Sequence, residues 1–154
     1  MRRTAMIAGL VLTGLCGLAA VNAAAHEHKV PPGPILDRHE LMEGIGKNSK
    51  IINDAMKSGN FAPVGEAAGK IQAAAAKIPP LFPPGSTHEN SRAKPEIWTD
   101  WPKFESGAKL LETTAGALAS AAKSGGDIPT AAQAMFNSCK NCHDRFRAPE
   151  KKNG

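Results

Sequence analysis

Cys139-Lys140-Asn141-Cys142-His143 places two thiols three residues apart, with an imidazole directly after the second. On a helix, positions i and i+3 share a face one turn apart, so both sulfurs reach the same edge of a flat macrocycle. Each thiol can add to one vinyl group of a haem, and the adjacent histidine can then bind the iron axially. The spacing therefore reads as covalent attachment of one haem c by Cys139 and Cys142, with His143 as iron ligand. A CxxC pair also serves as a redox dithiol, but that use goes with a βαβ pattern, which is not visible here. Structural zinc needs four closed ligands, and the sequence offers no second CxxC or HxxxH. The remaining cysteine, Cys16, falls in an apparent export signal, which leaves only the motif's two cysteines in the mature chain.

That signal is read over residues 1–25. Met1-Arg2-Arg3 is a charged start, a long run of apolar and small residues follows, and Ala23-Ala24-Ala25 offers an A-x-A cleavage site. The apolar run is short for a membrane span, is broken by Gly9, Gly14 and Gly17, and is not followed by a basic stop. Leu15 before Cys16 argues against a lipid-modified cysteine. The expectation is export to the periplasm, no membrane span in the mature chain, and a domain of about 130 residues. The formal charge of +5 falls to about +3 without Arg2 and Arg3. Its basic residues are scattered, so an acidic protein partner is compatible and nucleic acid is not expected. Residues 26–33 read as a loose arm and 149–154 as a tail. Cleavage after Ala25 would expose His26-Glu27-His28, a Cu(II)-binding pattern whose plainer reading is a disordered polar start.

Four helices must position the motif, and no credible strand is present. The first begins at Pro34 and ends at Gly59, with a stripe of Ile35, Arg38, Met42, Ile45, Ser49, Ile52 and Met56 in steps of three and four. The second opens at Pro63, carries Val64, Ala67, Ala68, Ile71, Ala74, Ala75 and Ile78, and stops at Pro79-Pro80. A loop rich in Pro, Gly and Ser covers 81–94. The third helix is read over 95–123, bent or restarted at Pro102, with Ile97, Trp98, Trp101, Phe104, Ala108, Leu111, Ala115 and Leu118 inward. Gly125-Gly126 turns the chain, Asp127 caps, and the fourth helix runs over 129–147. The fold class is all-α, an up-down-up-down four-helix bundle over 34–148, with alanine-rich seams in the second and fourth helices. In that bundle the start of the first helix and the end of the fourth lie at one end, so Met42 faces His143 across the haem. Leu81, Phe82, Trp98 and Trp101 are candidate walls, with plain core packing the equal alternative for the aromatics. His39 is a rival ligand on a different face from Arg38, read as exposed, as is His88.

This pattern resembles the class II c-type cytochromes, the group of cytochrome c′ and the low-spin cytochrome c-556, over about residues 35–147. The motif at the far C-terminal end, continued by Asp144-Arg145-Phe146-Arg147, carries most of the resemblance. Lys94-Pro95-Glu96-Ile97-Trp98 is similar to the start of the family's third helix, and Leu81-Phe82-Pro83-Pro84-Gly85 to the loop before it. The resemblance implies a haem-binding four-helix bundle and periplasmic redox work. Leu41-Met42 followed by Gly46-Lys47-Asn48 is similar to the c-556 branch, where a first-helix methionine binds iron. Arg38 with Met42 four residues on also fits the c′ branch, where an apolar side chain covers an open iron face and the arginine lies near the haem propionates. The plainer reading of Arg38 is a snorkelling residue at the bundle edge.

Two functions follow. The first is an electron carrier with iron on His143 and Met42, docking redox partner proteins. The alternative is five-coordinate iron on His143 that takes nitric oxide or carbon monoxide beneath a Met42 lid. No nucleophile–base pair or acidic dyad points to an enzyme. The c′ branch is commonly dimeric and the c-556 branch monomeric, so monomer and homodimer both stay open.

Overall fold

The computed structural model describes residues 32–150. The export signal, the copper pattern at His26-Glu27-His28, most of the 26–33 arm and the last four residues of the tail lie outside the described residues. Helix α1 spans Pro34–Ser58, α2 Val64–Ala75, α3 Glu96–Thr99, α4 Trp101–Ser124 and α5 Ile128–Phe146. The four long helices form the up-and-down bundle, and among the described residues no strand is present. α1 packs on α2, α2 on α4 and α4 on α5. None of the described helices is long and apolar enough to cross a membrane.

Local chemistry sets the ends. Pro34 and Pro102 occupy first-turn positions, where a missing N–H costs nothing. Gly59 and Gly125 close α1 and α4 at φ 73° and 71°, the left-handed region that a side chain disfavours. Gly126 N–H then returns to Ala121 O at 2.9 Å, so the turn satisfies one of α4's terminal carbonyls. Asp127 caps α5 by accepting from Thr130 N–H at 3.0 Å.

One boundary follows the sequence reading and one departs from it. The third helix restarts as expected at Pro102, which lacks an N–H and whose ring opposes the carbonyl four residues back, so the chain breaks at Asp100 into two helices. The second helix ends at Ala75 rather than continuing to Ile78. Lys77 and Ile78 donate to carbonyls only three residues back, and a 3₁₀ turn over Pro79–Leu81 follows. The proline pair restricts the residues before it and tightens the last turns.

The core is the predicted stripe. Ile52, Ala68, Ile71, Ala115 and Leu118 are wholly buried. Small residues let α2 and α4 approach: a Cβ on Gly65 would lie 3.4 Å from Ala122 Cβ, and one on Gly116 would meet the Gln72 amide at 2.7 Å. The two seams the sequence marked as alanine-rich lie on α2 and α5, and the neighbour of both is α4.

The segment 82–95 crosses the end of the bundle as a strap. Its last residues pair with the end of α5: Ala93 and Arg147 form an antiparallel bridge, Lys94 N–H donates to Phe146 O at 3.0 Å, and Ala148 N–H to Arg92 O at 2.8 Å. Trp98 Nε1–H donates to Phe82 O and Pro83 O, 3.1 Å each, anchoring the strap's start.

Candidate functional site

A cavity of about 400 Å³ opens between α1 and the C-terminal half of α5. Cys139, Cys142 and His143 all line it, as the i, i+3 and i+4 spacing requires of one helical face. α1 contributes Ile35, Arg38, His39, Met42, Glu43 and Ile45. α4 contributes Phe104, Gly107, Ala108 and Leu111, and the strap contributes Asn90, Ser91, Arg92 and Ala93. Met42 and His143 thus share one cavity, from opposite helices, as the bundle topology predicts.

Four parts of the sequence reading are corrected or sharpened here. Of the four proposed walls only Phe82 lines the cavity. Leu81, Trp98 and Trp101 pack against the core instead, Trp98 also anchoring the strap and Trp101 lying on Phe104 with ring centroids 5.4 Å apart. The aromatic wall is Phe82, Phe104 and Phe146, joined by edge-on contacts of 4.8 and 5.4 Å. His39 is half exposed, with Nε2 3.4 Å from Glu43 Oε1, yet it forms part of the wall at the mouth rather than lying on another face. Arg38 is no snorkelling side chain: it is 4% exposed and reaches into the strap. His88 is partly buried, and its Nδ1 accepts from Asn90 N–H at 3.2 Å.

Burial disfavours the charged forms of Cys139, Cys142 and His143. It pushes both thiols above the usual cysteine range; a hydrogen bond from Ser138 partly offsets this at Cys139, and the neighbouring Cys139 adds to it at Cys142. Burial also lowers the His143 pKa, helped by Arg147 and Arg92 and opposed by Asp144. The site therefore presents two thiols and a neutral imidazole, whose lone pair is available to a metal.

These residues fit a haem c. Both cysteines are free thiols, the cavity falls in the range of about 300–1,000 Å³ usual for small-molecule and cofactor sites, and its walls are largely apolar and aromatic. A zinc site finds less support, because no group of three or more His, Cys, Asp or Glu gathers among the described residues. Gly107 leaves room beside Cys142: a Cβ there would sit 3.5 Å from its Sγ.

The sequence profile of the family described as Cytochrome C′ matches residues 33–147, the whole bundle with the site in it. The chain belongs to the cytochrome c′ family. It is similar to cytochrome c′ of Rhodospirillum rubrum, 27% identical over 140 residues, 87% of this chain and 95% of that one. Among solved structures, cytochrome c′ of Thermochromatium tepidum superposes with a TM-score of 0.70 at 28% identity, covering 75% of this chain and 95% of that one. A nitric oxide complex of a cytochrome c prime variant from Alcaligenes xylosoxidans shares the fold, with a TM-score of 0.67 at 21% identity over 75% and 94% of the chains. Family membership identifies a haem protein. It also separates this bundle from small cytochromes that carry the attachment motif near the N-terminus.

The sequence reading missed Ser86, Ser91 and Arg92. Their signal was faint: a charged residue inside an apolar helix stripe implies polar partners somewhere, and the strap carries two serines, Ser86 and Ser91, at the cavity end.

Proposed function

We propose that this chain is a periplasmic haem c protein in which His143 holds the iron from one side, Met42 covers the other, and nitric oxide or carbon monoxide is taken up beneath Met42. The observation that carries the reading is Met42 in the cavity wall of α1, one turn beyond Arg38 and across from His143. Membership of the cytochrome c′ family supports it, and so does the nitric oxide complex of a protein with the same fold.

When bound, the haem supplies an iron centre that changes oxidation state and binds diatomic gases. Cys139 and Cys142 would hold the macrocycle through two thioether bonds. His143, whose neutral form burial favours, would offer its ring lone pair to the iron. Met42 and Ile45 keep the opposite face apolar, which excludes water and admits small neutral molecules. Phe82, Phe104 and Phe146 pack the macrocycle's surroundings.

A second reading is favoured by the same methionine: a thioether is a soft ligand, and Met/His coordination raises the reduction potential and suits an electron carrier that docks a redox partner. Visible absorption of the haem-loaded protein in both oxidation states, before and after carbon monoxide, separates the two. A broad high-spin spectrum that shifts readily with the gas supports the open face. A sharp low-spin spectrum with a methionine–iron charge-transfer band, little altered by the gas, replaces it with the electron carrier. Sizing under the same conditions decides between monomer and homodimer.

A further inference from the structure

The geometry points to Arg38 as a positioning residue that latches the 82–95 strap over the cavity and so sets how fast small ligands enter. The inference rests on the gas-binding reading above, but its first observable does not. Arg38 lies buried on a largely apolar stripe, and a charge at that depth persists only with its donors satisfied. All its terminal nitrogens turn to residues 81–91. Nη1 donates to Ser86 Oγ at 2.8 Å and, at the longer distance of 3.5 Å, to Leu81 O. Nη2 donates to Ser86 O at 2.7 Å and Ser91 Oγ at 3.0 Å. Of the five N–H groups of a guanidinium, this leaves only the Nε–H uncommitted. The same group lies 4.7 Å from the centroid of Phe82, the first residue of the strap.

The strap therefore has two clamps. One is the backbone pairing of its last residues to the end of α5, reinforced by Arg92 Nε–H to Ala148 O at 2.8 Å. The other is Arg38, reaching from α1. Between and beside them Asn90, Ser91, Arg92 and Ala93 form one wall of the cavity. Releasing the Arg38 clamp frees that wall from α1 while the α5 clamp holds, which makes a hinge of the α5 end. The family resemblance instead places this arginine near the haem carboxylates, and such contacts would compete with Ser86 and Ser91 for the same donors.

The serines distinguish the two roles. The test uses the haem-loaded protein, a Ser86→Ala/Ser91→Ala double variant, Arg38→Lys, and the combination. Its readouts are hydrogen exchange of the strap amides and carbon monoxide association after flash photolysis. Hydrogen bonds to a charged group are among the stronger ones, so losing both hydroxyl acceptors is expected to speed strap exchange about tenfold or more. Carbon monoxide association is expected to rise about severalfold, with Arg38→Lys adding little in the double-variant background, since both act on one clamp. Unchanged strap exchange in the serine variant, with a shifted reduction potential in Arg38→Lys, would overturn the latch in favour of a role at the carboxylates. Faster strap exchange with unchanged gas association would overturn the control of entry. If Arg38→Lys fails to fold, the serine variant carries the test alone. If the parent takes no carbon monoxide, the gas-binding reading fails, while strap exchange still reports on the latch.

Discussion

Leu118 and Leu111 lie seven residues apart on α4, two turns along one buried stripe, so replacing each by alanine compares the bundle core with the cavity wall. At 1.5 Å per residue they are separated by about 10 Å along the axis. Leu118 is wholly buried and outside the cavity lining, whereas Leu111 is 7% exposed and within it. Leu118→Ala deletes atoms packed on every side, and α2 and α4 are held too close together to collapse into the void. The expected loss is about 3–4 kcal/mol of unfolding free energy. For a bundle of this size that lowers the melting temperature by roughly 12–15 °C. Leu111→Ala enlarges a cavity that already exists, so its cost falls nearer the lower end, about 2 kcal/mol. The spectroscopic order is the reverse: Leu111→Ala changes carbon monoxide binding and Leu118→Ala leaves it as in the parent. Guanidinium unfolding followed by circular dichroism, with gas titrations on the same samples, measures both. A Leu118→Ala cost below about 1 kcal/mol, or a gas response altered more by Leu118→Ala than by Leu111→Ala, would refute the separation of core from site.

Met42→Leu keeps nearly the same volume, so it is expected to cost less than about 1.5 kcal/mol. With Met42 as a cover, the absorption spectrum and gas saturation stay as in the parent; loss of a charge-transfer band in the variant would instead mark Met42 as a ligand. The Asp127 carboxyl is held below the usual carboxylate range, chiefly by its hydrogen bonding to Thr130. A group with a depressed folded pKa stabilises above its unfolded pKa, near about 4, and loses that contribution as pH falls through the lower folded value. Asp127→Asn, which keeps an acceptor but does not titrate, is therefore expected to flatten the acid limb of melting temperature against pH, and an unchanged limb would count against the cap. Two glycines are expected to respond with opposite signs. Gly46, inside α1 with nothing near its absent Cβ, gains about 0.5–1 kcal/mol as alanine, while Gly125 at φ 71° loses about 1 kcal/mol. Thermal melts of the two variants check both signs.

How much of this could be read from sequence depended on whether the interaction was local. Cys139, Cys142 and His143 act through one helical turn, so their spacing alone puts them on one face. Pro34, Gly59, Pro102, Gly125 and Asp127 act on the backbone beside them, and they mark the ends of the long helices with only the second helix misjudged by a turn. Trp98 and Trp101 show where the method fails. Helical period reports which side of a helix is apolar, but not whether that side meets the cavity, the strap or another ring.

What the sequence by itself determined is the single helical face shared by Cys139, Cys142 and His143 and the set of helices that carries it, because both are encoded in spacings of a few residues. Only the tertiary structure decided what surrounds that site. Arg38 meets Ser86 and Ser91 across 48 and 53 residues of chain, and His39 joins the cavity wall although its own helix leaves it half exposed. Those pairings arise from where the strap crosses the end of the bundle. That crossing is a balance of hydrogen bonds and packing among segments distant in sequence, and no local periodicity records it.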